Sequence, residues 1–231
     1  MTSPLILALD LEPDAALDLA KKLNPEEVKL KVGSKLFTSS GPPIISDLHN
    51  LGFDIFLDLK FHDIPNTVIG ALRSAMALRP MIVNVHASGG VAMLRAAAKT
   101  VFEVGSSRPL LIAVTVLTSL EDKDMADIGL KSSVADQAIR LAQLAQDCGL
   151  DGVVCSPHEL SVIREVCGAN FKLVVPGIRP DWAVKGDQKR IITPRQALDF
   201  GADYLVIGRP ITEDEDPVRA AKRIGKELSD T

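Results

Sequence analysis

The chain has 231 residues, of which 46% are apolar and 24% charged, enough material for a sizeable core. Its net charge of −4, without any basic block, and an aromatic content of 4% argue against a nucleic-acid surface. Met1-Thr2-Ser3-Pro4 lacks a basic region and the apolar run behind it stops at Asp10, so neither a signal peptide nor a membrane span is expected. Cys148, Cys155 and Cys167 show no CxxC spacing and read as small core residues in a reducing compartment, which points to a cytoplasmic protein.

Taken in order, apolar strands alternate with amphipathic helices. A strand over Leu5–Leu9 ends at Asp10 and leads to a helix over Asp14–Leu23. In the next strand, Val28–Val32, Lys29 and Lys31 share a face; a helix over Pro42–Leu51 follows. Then come a strand beginning at Asp54, a helix over Pro65–Leu78, and a strand over Met81–Val85 that runs into His86. Val91, Leu94, Ala98 and Val101 keep helical spacing as far as Gly105. An apolar strand over Pro109–Leu117 enters Thr118-Ser119, and after an acidic insertion Ser133 and Asp136 open a helix over Val134–Cys148. Strands over Gly152–Cys155 and Lys172–Val175 enclose one helix; a helix over Pro194–Phe200, a strand over Tyr204–Ile207 and a helix over Asp216–Leu228 close the chain.

That makes about eight strand–helix units, which predicts an α/β fold of the (β/α)8 TIM-barrel type, one domain over residues 1–231 with its active site at the C-terminal ends of the strands. An open doubly wound sheet is the alternative. It is weakened by the lack of a Gly-x-Gly-x-x-Gly turn after the first strand.

The most informative stretch is Asp58-Leu59-Lys60-Phe61-His62-Asp63-Ile64-Pro65-Asn66-Thr67. With period two, Ile55, Leu57, Leu59 and Phe61 take one face and Phe56, Asp58 and Lys60 the other. A carboxylate and an ammonium side by side at a strand end form either a working site or a structural ion pair, with Asp63 or Asn66 capping the helix. Other polar residues favour the site, because Asp10, Lys31, His86, Thr118, Ser119, Arg179 and Arg209 all fall at strand ends. His86 reads rather as a hydrogen-bonding partner of nearby loops than as a site residue. Gly208-Arg209-Pro210, after the last strand, suits an anion: glycine admits close backbone approach and arginine binds bidentately. The polar loop from Gly177 to Arg190 reads as a lid, with Arg179 and Gln188 placed to reach a phosphate, or as a plain surface excursion. No metal-ligand spacing, Walker loop or nucleophile elbow is present, so no cofactor is expected and the chemistry rests on lysines and carboxylates.

The 58–67 segment resembles the signature of the orotidine 5′-monophosphate decarboxylase family in its compact bacterial form. The resemblance extends to Leu7-Ala8-Leu9-Asp10, Lys31-Val32-Gly33, Asn84-Val85-His86-Ala87, Leu117-Thr118-Ser119, Pro176-Gly177-Ile178-Arg179 and Ile207-Gly208-Arg209-Pro210. It implies decarboxylation of orotidine 5′-monophosphate to uridine 5′-monophosphate without a cofactor, in a homodimer with shared sites. It assigns Lys31, Asp58, Lys60 and Asp63 to a catalytic charge array, with Asp63 donated by the partner subunit, whose Ile64 and Thr67 line the pocket. Asp10 and Lys31 would hold the ribose, and Thr118 and Ser119 would meet the pyrimidine. Arg179, Gln188, Gly208 and Arg209 would hold the phosphate, Gln188 also reaching the base.

Two other functions share parts of this pattern. A magnesium-dependent sugar-phosphate decarboxylase of the same superfamily resembles the Asp58/Lys60/Asp63 pattern but would carry an acidic metal ligand near Lys31, where a lysine repels the cation. A catalytically silent nucleotide-binding barrel would have no reason to keep Lys60 between two carboxylates.

Overall fold

The computed structural model describes residues 3–183 and 192–229. Its elements run β1 (Leu5–Ala8), α1 (Pro13–Ala20), β2 (Lys29–Gly33), α2 (Ser34–Ser40), α3 (Pro43–Asn50), β3 (Ile55–Phe61) and α4 (Pro65–Met76). They continue with β4 (Ile82–His86), a 3-10 turn at Ala87–Gly89, α5 (Gly90–Phe102), β5 (Leu110–Val114), α6 (Asp122–Asp127), α7 (Val134–Asp147), β6 (Gly152–Val154) and α8 (Leu160–Cys167). The chain ends with β7 (Lys172–Pro176), α9 (Pro194–Asp199), β8 (Tyr204–Ile207), α10 (Arg209–Thr212) and α11 (Pro217–Ser229).

The eight strands close into a parallel barrel in sequence order, and Leu5, Ile6 and Leu7 of β1 pair with Leu205, Val206 and Ile207 of β8. Alternation along the strands divides the core in two. Ile6, Ala8, Phe56, Ile82, Ile112, Val174 and Val206 fill the barrel interior. Their neighbours, such as Leu7, Leu30, Val32, Leu57, Val83 and Val85, pack outward beneath the helices. Among the described residues no helix is long and apolar enough to cross a membrane.

Helix ends follow local chemistry. Ser133 caps α7 by accepting the Asp136 N–H at 3.1 Å, as its spacing predicts. Thr193 and Gln196 form a reciprocal box at the start of α9. Three helices depart from the sequence reading, among them the single turn of α10, which follows Gly208 directly. α2 lies over Ser34–Ser40, where serine and threonine give weak helical preference and tertiary packing of the buried Leu36 decides. α6 forms within the acidic insertion because Glu121 and Asp124 cap it reciprocally. The fifth strand also stops earlier than Leu117: after Val114 the chain leaves the ladder, and both the N–H and the hydroxyl of Thr115 donate to the Val154 carbonyl.

Candidate active site

Side chains that alternate inward reach the C-terminal mouth of the barrel from successive strands. From β2 comes Lys31, whose Nζ lies 3.3 Å from Asp10 Oδ1 on the loop after β1 and 3.3 Å from Asp58 Oδ2 on β3. The other oxygen of Asp58 takes Lys60 Nζ at 2.6 Å. Lys31 and Asp58 are both buried. Each would be costly there alone; a carboxylate between two ammonium groups offsets the loss of water. Gly33 keeps room for this chain, because a Cβ at that position would meet Lys31 Nζ at 2.9 Å and Asp10 Oδ1 at 3.3 Å.

Strand β3 is not regular where it carries these groups. Leu57 pairs with Val83 and Phe61 with Val85, so the register shifts between them. The bulge puts Lys60 in a left-handed backbone conformation, φ 52°. A lysine there stores strain of roughly 1–3 kcal/mol, which the surroundings must sustain. The Lys60 N–H, freed from the ladder, donates to Asn84 Oδ1 at 2.8 Å, and Asn84 Nδ2 donates to Asp58 Oδ1 at 2.6 Å.

Lys31, Asp58 and Lys60 open into a cavity of about 200 Å³, walled by Phe56, Val114, Val116, Leu117, Val154, Pro176 and Val206 with Thr118 at its edge. Apolar walls of this kind strengthen the field of the charges inside them. Ser119 is exposed and does not line this space. A second cavity, of about 340 Å³, brings together Arg179 after β7 and Arg209 at the start of α10, with Trp182 and Pro210. Arg179 is buried despite its charge. Gly208 precedes Arg209 and turns the chain into α10. Gln188 lies outside the described residues. A wider open groove of about 660 Å³, between Gly129 and Gln143, contains none of the expected site residues.

The loop between β3 and α4 behaves differently from the mouth. Asp63, Ile64 and Thr67 are exposed, Ile64 by 67%. Asp63 turns Oδ1 back onto the Ile64 N–H at 2.6 Å and makes no ion pair among the described residues. The helix begins on Pro65 with Ile64 as its cap residue, so neither Asp63 nor Asn66 caps it. His86, at the end of β4, stacks obliquely on His62 with ring centroids 5.4 Å apart. Burial, then the neighbouring His62 and Lys60, push its proton affinity below that of an ordinary imidazole, against a weaker opposite pull from Asp58.

This arrangement agrees with what the chain is similar to. Residues 3–224 match the model of the Orotidine 5′-phosphate decarboxylase / HUMPS family. The chain belongs to this family. Two curated relatives, each called orotidine 5′-phosphate decarboxylase, come from Actinobacillus pleuropneumoniae serotype 5b (strain L20) and serotype 3 (strain JL03). Each is 52% identical over 99% of this chain and 100% of its own length. The crystal structure of orotidine 5′-phosphate decarboxylase from Lactobacillus acidophilus superposes with a TM-score of 0.87 at 38% identity, covering 98% of this chain and 99% of that one.

Within the orotidine 5′-phosphate decarboxylase / HUMPS family frame, the barrel brings Asp10, Lys31, Asp58 and Lys60 into one chain of ion pairs and sets Arg179 with Arg209 in a separate cavity that Glu213, Asp214 and Glu215 also line. Sequence reasoning missed the parts played by Asn84 and Gly33. The signal for Asn84 was present in Ile82-Val83-Asn84-Val85, an amide in a run of β-branched residues where asparagine is disfavoured.

Proposed function

We propose that this chain decarboxylates orotidine 5′-monophosphate to uridine 5′-monophosphate, a carboxy-lyase step of pyrimidine biosynthesis, at the C-terminal mouth of one barrel domain spanning residues 1–231. The observation that carries the mechanism is the Lys31–Asp58–Lys60 chain of ion pairs beside an apolar cavity. In the reaction the bond from carbon six to the carboxylate breaks, carbon dioxide leaves, and the electron pair stays on carbon six. No carbonyl is placed to delocalise it as an enolate, so a preorganised cation must hold it. Lys60 supplies that charge and then gives carbon six its proton, regaining one from solvent. Asp58 beside the substrate carboxylate raises the ground state by like-charge proximity, and we give it the lesser role.

Asp10 and Lys31 hold the ribose hydroxyls, Thr118 and Ser119 meet the pyrimidine, and Arg179, Gln188, Gly208 and Arg209 hold the phosphate. Two chains form a homodimer in which Asp63, Ile64 and Thr67 of each reach the other's mouth; their exposure in the single chain supports this. A cytoplasmic setting suits the three free, buried cysteines.

A magnesium-dependent reaction on a sugar phosphate is the competing reading within the family. Asp58 argues against it, because both of its oxygens already face lysine ammonium groups, which a divalent cation would have to displace. Turnover of orotidine 5′-monophosphate, followed by the loss of orotate absorbance before and after dialysis against a chelator, tests both readings. We expect equal rates in the two samples. Activity that disappears with the chelator and returns with magnesium would sink the cofactor-free mechanism.

A further inference from the structure

We infer that Asn84 is a positioning residue for this decarboxylation: its amide holds the Asp58 carboxylate while its carbonyl oxygen holds the backbone of Lys60. The inference rests on the decarboxylase reading of the site. Asn84 is fully buried in β4 and points inward, as Ile82 does two residues before it. Its two hydrogen bonds, 2.6 Å to Asp58 Oδ1 and 2.8 Å from the Lys60 N–H, run to the two residues whose side chains pair with each other at 2.6 Å. These contacts close a three-residue ring around the bulge in β3.

The chemistry of the ring is specific to an amide. Asp58 needs a donor and the Lys60 N–H needs an acceptor, and asparagine carries one of each on a single planar fork. Only one orientation of the amide satisfies both. An apolar side chain would strand the N–H that the bulge takes out of the ladder, and an ionised carboxylate would repel Asp58. A lysine with φ 52° does not hold that conformation unaided, and Asn84 is the group seen to hold it. Since Asn84 lines neither cavity, it acts through Asp58 and Lys60.

Asn84→Ala and Asn84→Asp test this, with uridine 5′-monophosphate as the probe of ground-state binding. For Asn84→Ala we expect kcat to fall roughly ten- to a hundredfold, the loss of a hydrogen bond to a charged group. KM and the dissociation constant for uridine 5′-monophosphate should stay within about twofold, because ribose and phosphate are held elsewhere. Asn84→Asp gives a readout that a purely structural role would not move. The introduced carboxyl donates to Asp58 only when protonated, so kcat relative to wild type should rise as pH is lowered.

A kcat within about twofold of wild type in Asn84→Ala, or a loss confined to KM, would overturn the inference. So would an Asn84→Asp ratio that is flat with pH. If Asn84→Ala does not fold, the nearly isosteric Asn84→Asp decides by its pH profile, and failure of both to fold would assign Asn84 to stability alone. Wild-type enzyme in the same assay separates the two levels. Absence of wild-type turnover defeats the decarboxylase reading, whereas wild-type turnover with unaffected variants defeats only the role of Asn84.

Discussion

The two ends of the barrel use the same residue types for opposite purposes. At the floor, where strands begin, Asp151 takes both Arg108 nitrogens, at 2.6 and 2.7 Å, and the Leu111 N–H at 2.8 Å. Asp203 likewise binds Arg164, Lys172 and the Leu173 N–H. Each carboxylate thereby ties the start of one strand to its neighbour. At the mouth, Asp58 takes Lys31, Lys60 and the Asn84 amide, all side chains, with no backbone donor recorded among the described residues. Floor charges are absorbed into holding the ladder together. Mouth charges are held by one another, off the backbone and beside a cavity, where a substrate can replace one of them. A buried ion pair alone therefore does not mark a site; what its members hold does.

The sharpest test sets one residue from each end against the other. Lys60→Ala should lose more than the roughly 10²–10⁴-fold typical of removing a general acid, because a counter-charge goes with it. Its thermal midpoint should stay close to wild type. Asp203→Ala should do the reverse, leaving kcat per folded molecule unchanged while lowering unfolding free energy by about 3 kcal/mol, since two cations and an N–H lose their partner. A few-fold kinetic deficit in Lys60→Ala would remove it from the mechanism, and an inactive, fully stable Asp203→Ala would dissolve the distinction between the ends.

Next in size is the effect of the phosphate, which we place at Arg179 and Arg209, away from Lys60. If remote binding energy assembles the reacting centre, orotidine without its phosphate should lose kcat as well as affinity. Equal kcat for the two substrates would reduce the two arginines to a handle.

How much of this was legible in the sequence depends on whether a signal is local. The eight strands were readable from apolar runs, and Tyr204–Ile207 falls as expected, because a buried strand needs only its own residues to declare itself. The pairing of Asp58 with Lys60 followed from period two, and Lys31 sharing the inward face with Lys29 did as well. The bulge was not legible: it is a mismatch between Leu57–Phe61 and Val83–Val85, two segments far apart in sequence. Nor was the grip of Asn84 on Lys60, which spans the same gap. α2 escaped notice because Leu36 supplies its burial while its serines and threonine advertise a loop.

The proposed dimer extends the comparison to a third kind of carboxylate, the exposed Asp63, which makes no ion pair among the described residues. Mixing Lys60→Ala with Asp63→Ala chains, each nearly inactive as a homodimer, puts both defects in one site of the hybrid and leaves the other site intact. Random reassortment makes about half the dimers hybrid, so activity should recover to about a quarter of wild type. Confirmed subunit exchange without recovered activity would return Asp63 to its own chain.

The smallest effect separates two bases, the half-buried His86 at the mouth and the buried Lys29 at the floor. Lys29 donates to the Ser3 carbonyl at 2.6 Å, and burial lowers its proton affinity against a weaker pull from Asp54. His86 is lowered by burial and by His62 and Lys60. In both cases the unfolded chain takes the proton first, so stability falls as pH drops through the window between the unfolded and folded values. For His86 that window opens downward from the ordinary value of 6.5; for Lys29 it opens downward from 10.5. Thermal midpoints measured between about pH 5 and pH 7 should therefore decline more gently in His86→Gln than in wild type, while Lys29→Met keeps the wild-type slope. Parallel acid limbs in His86→Gln and wild type would mean that folding leaves the imidazole's proton affinity unchanged, and that the charges gathered at the mouth do not reach as far as the end of β4.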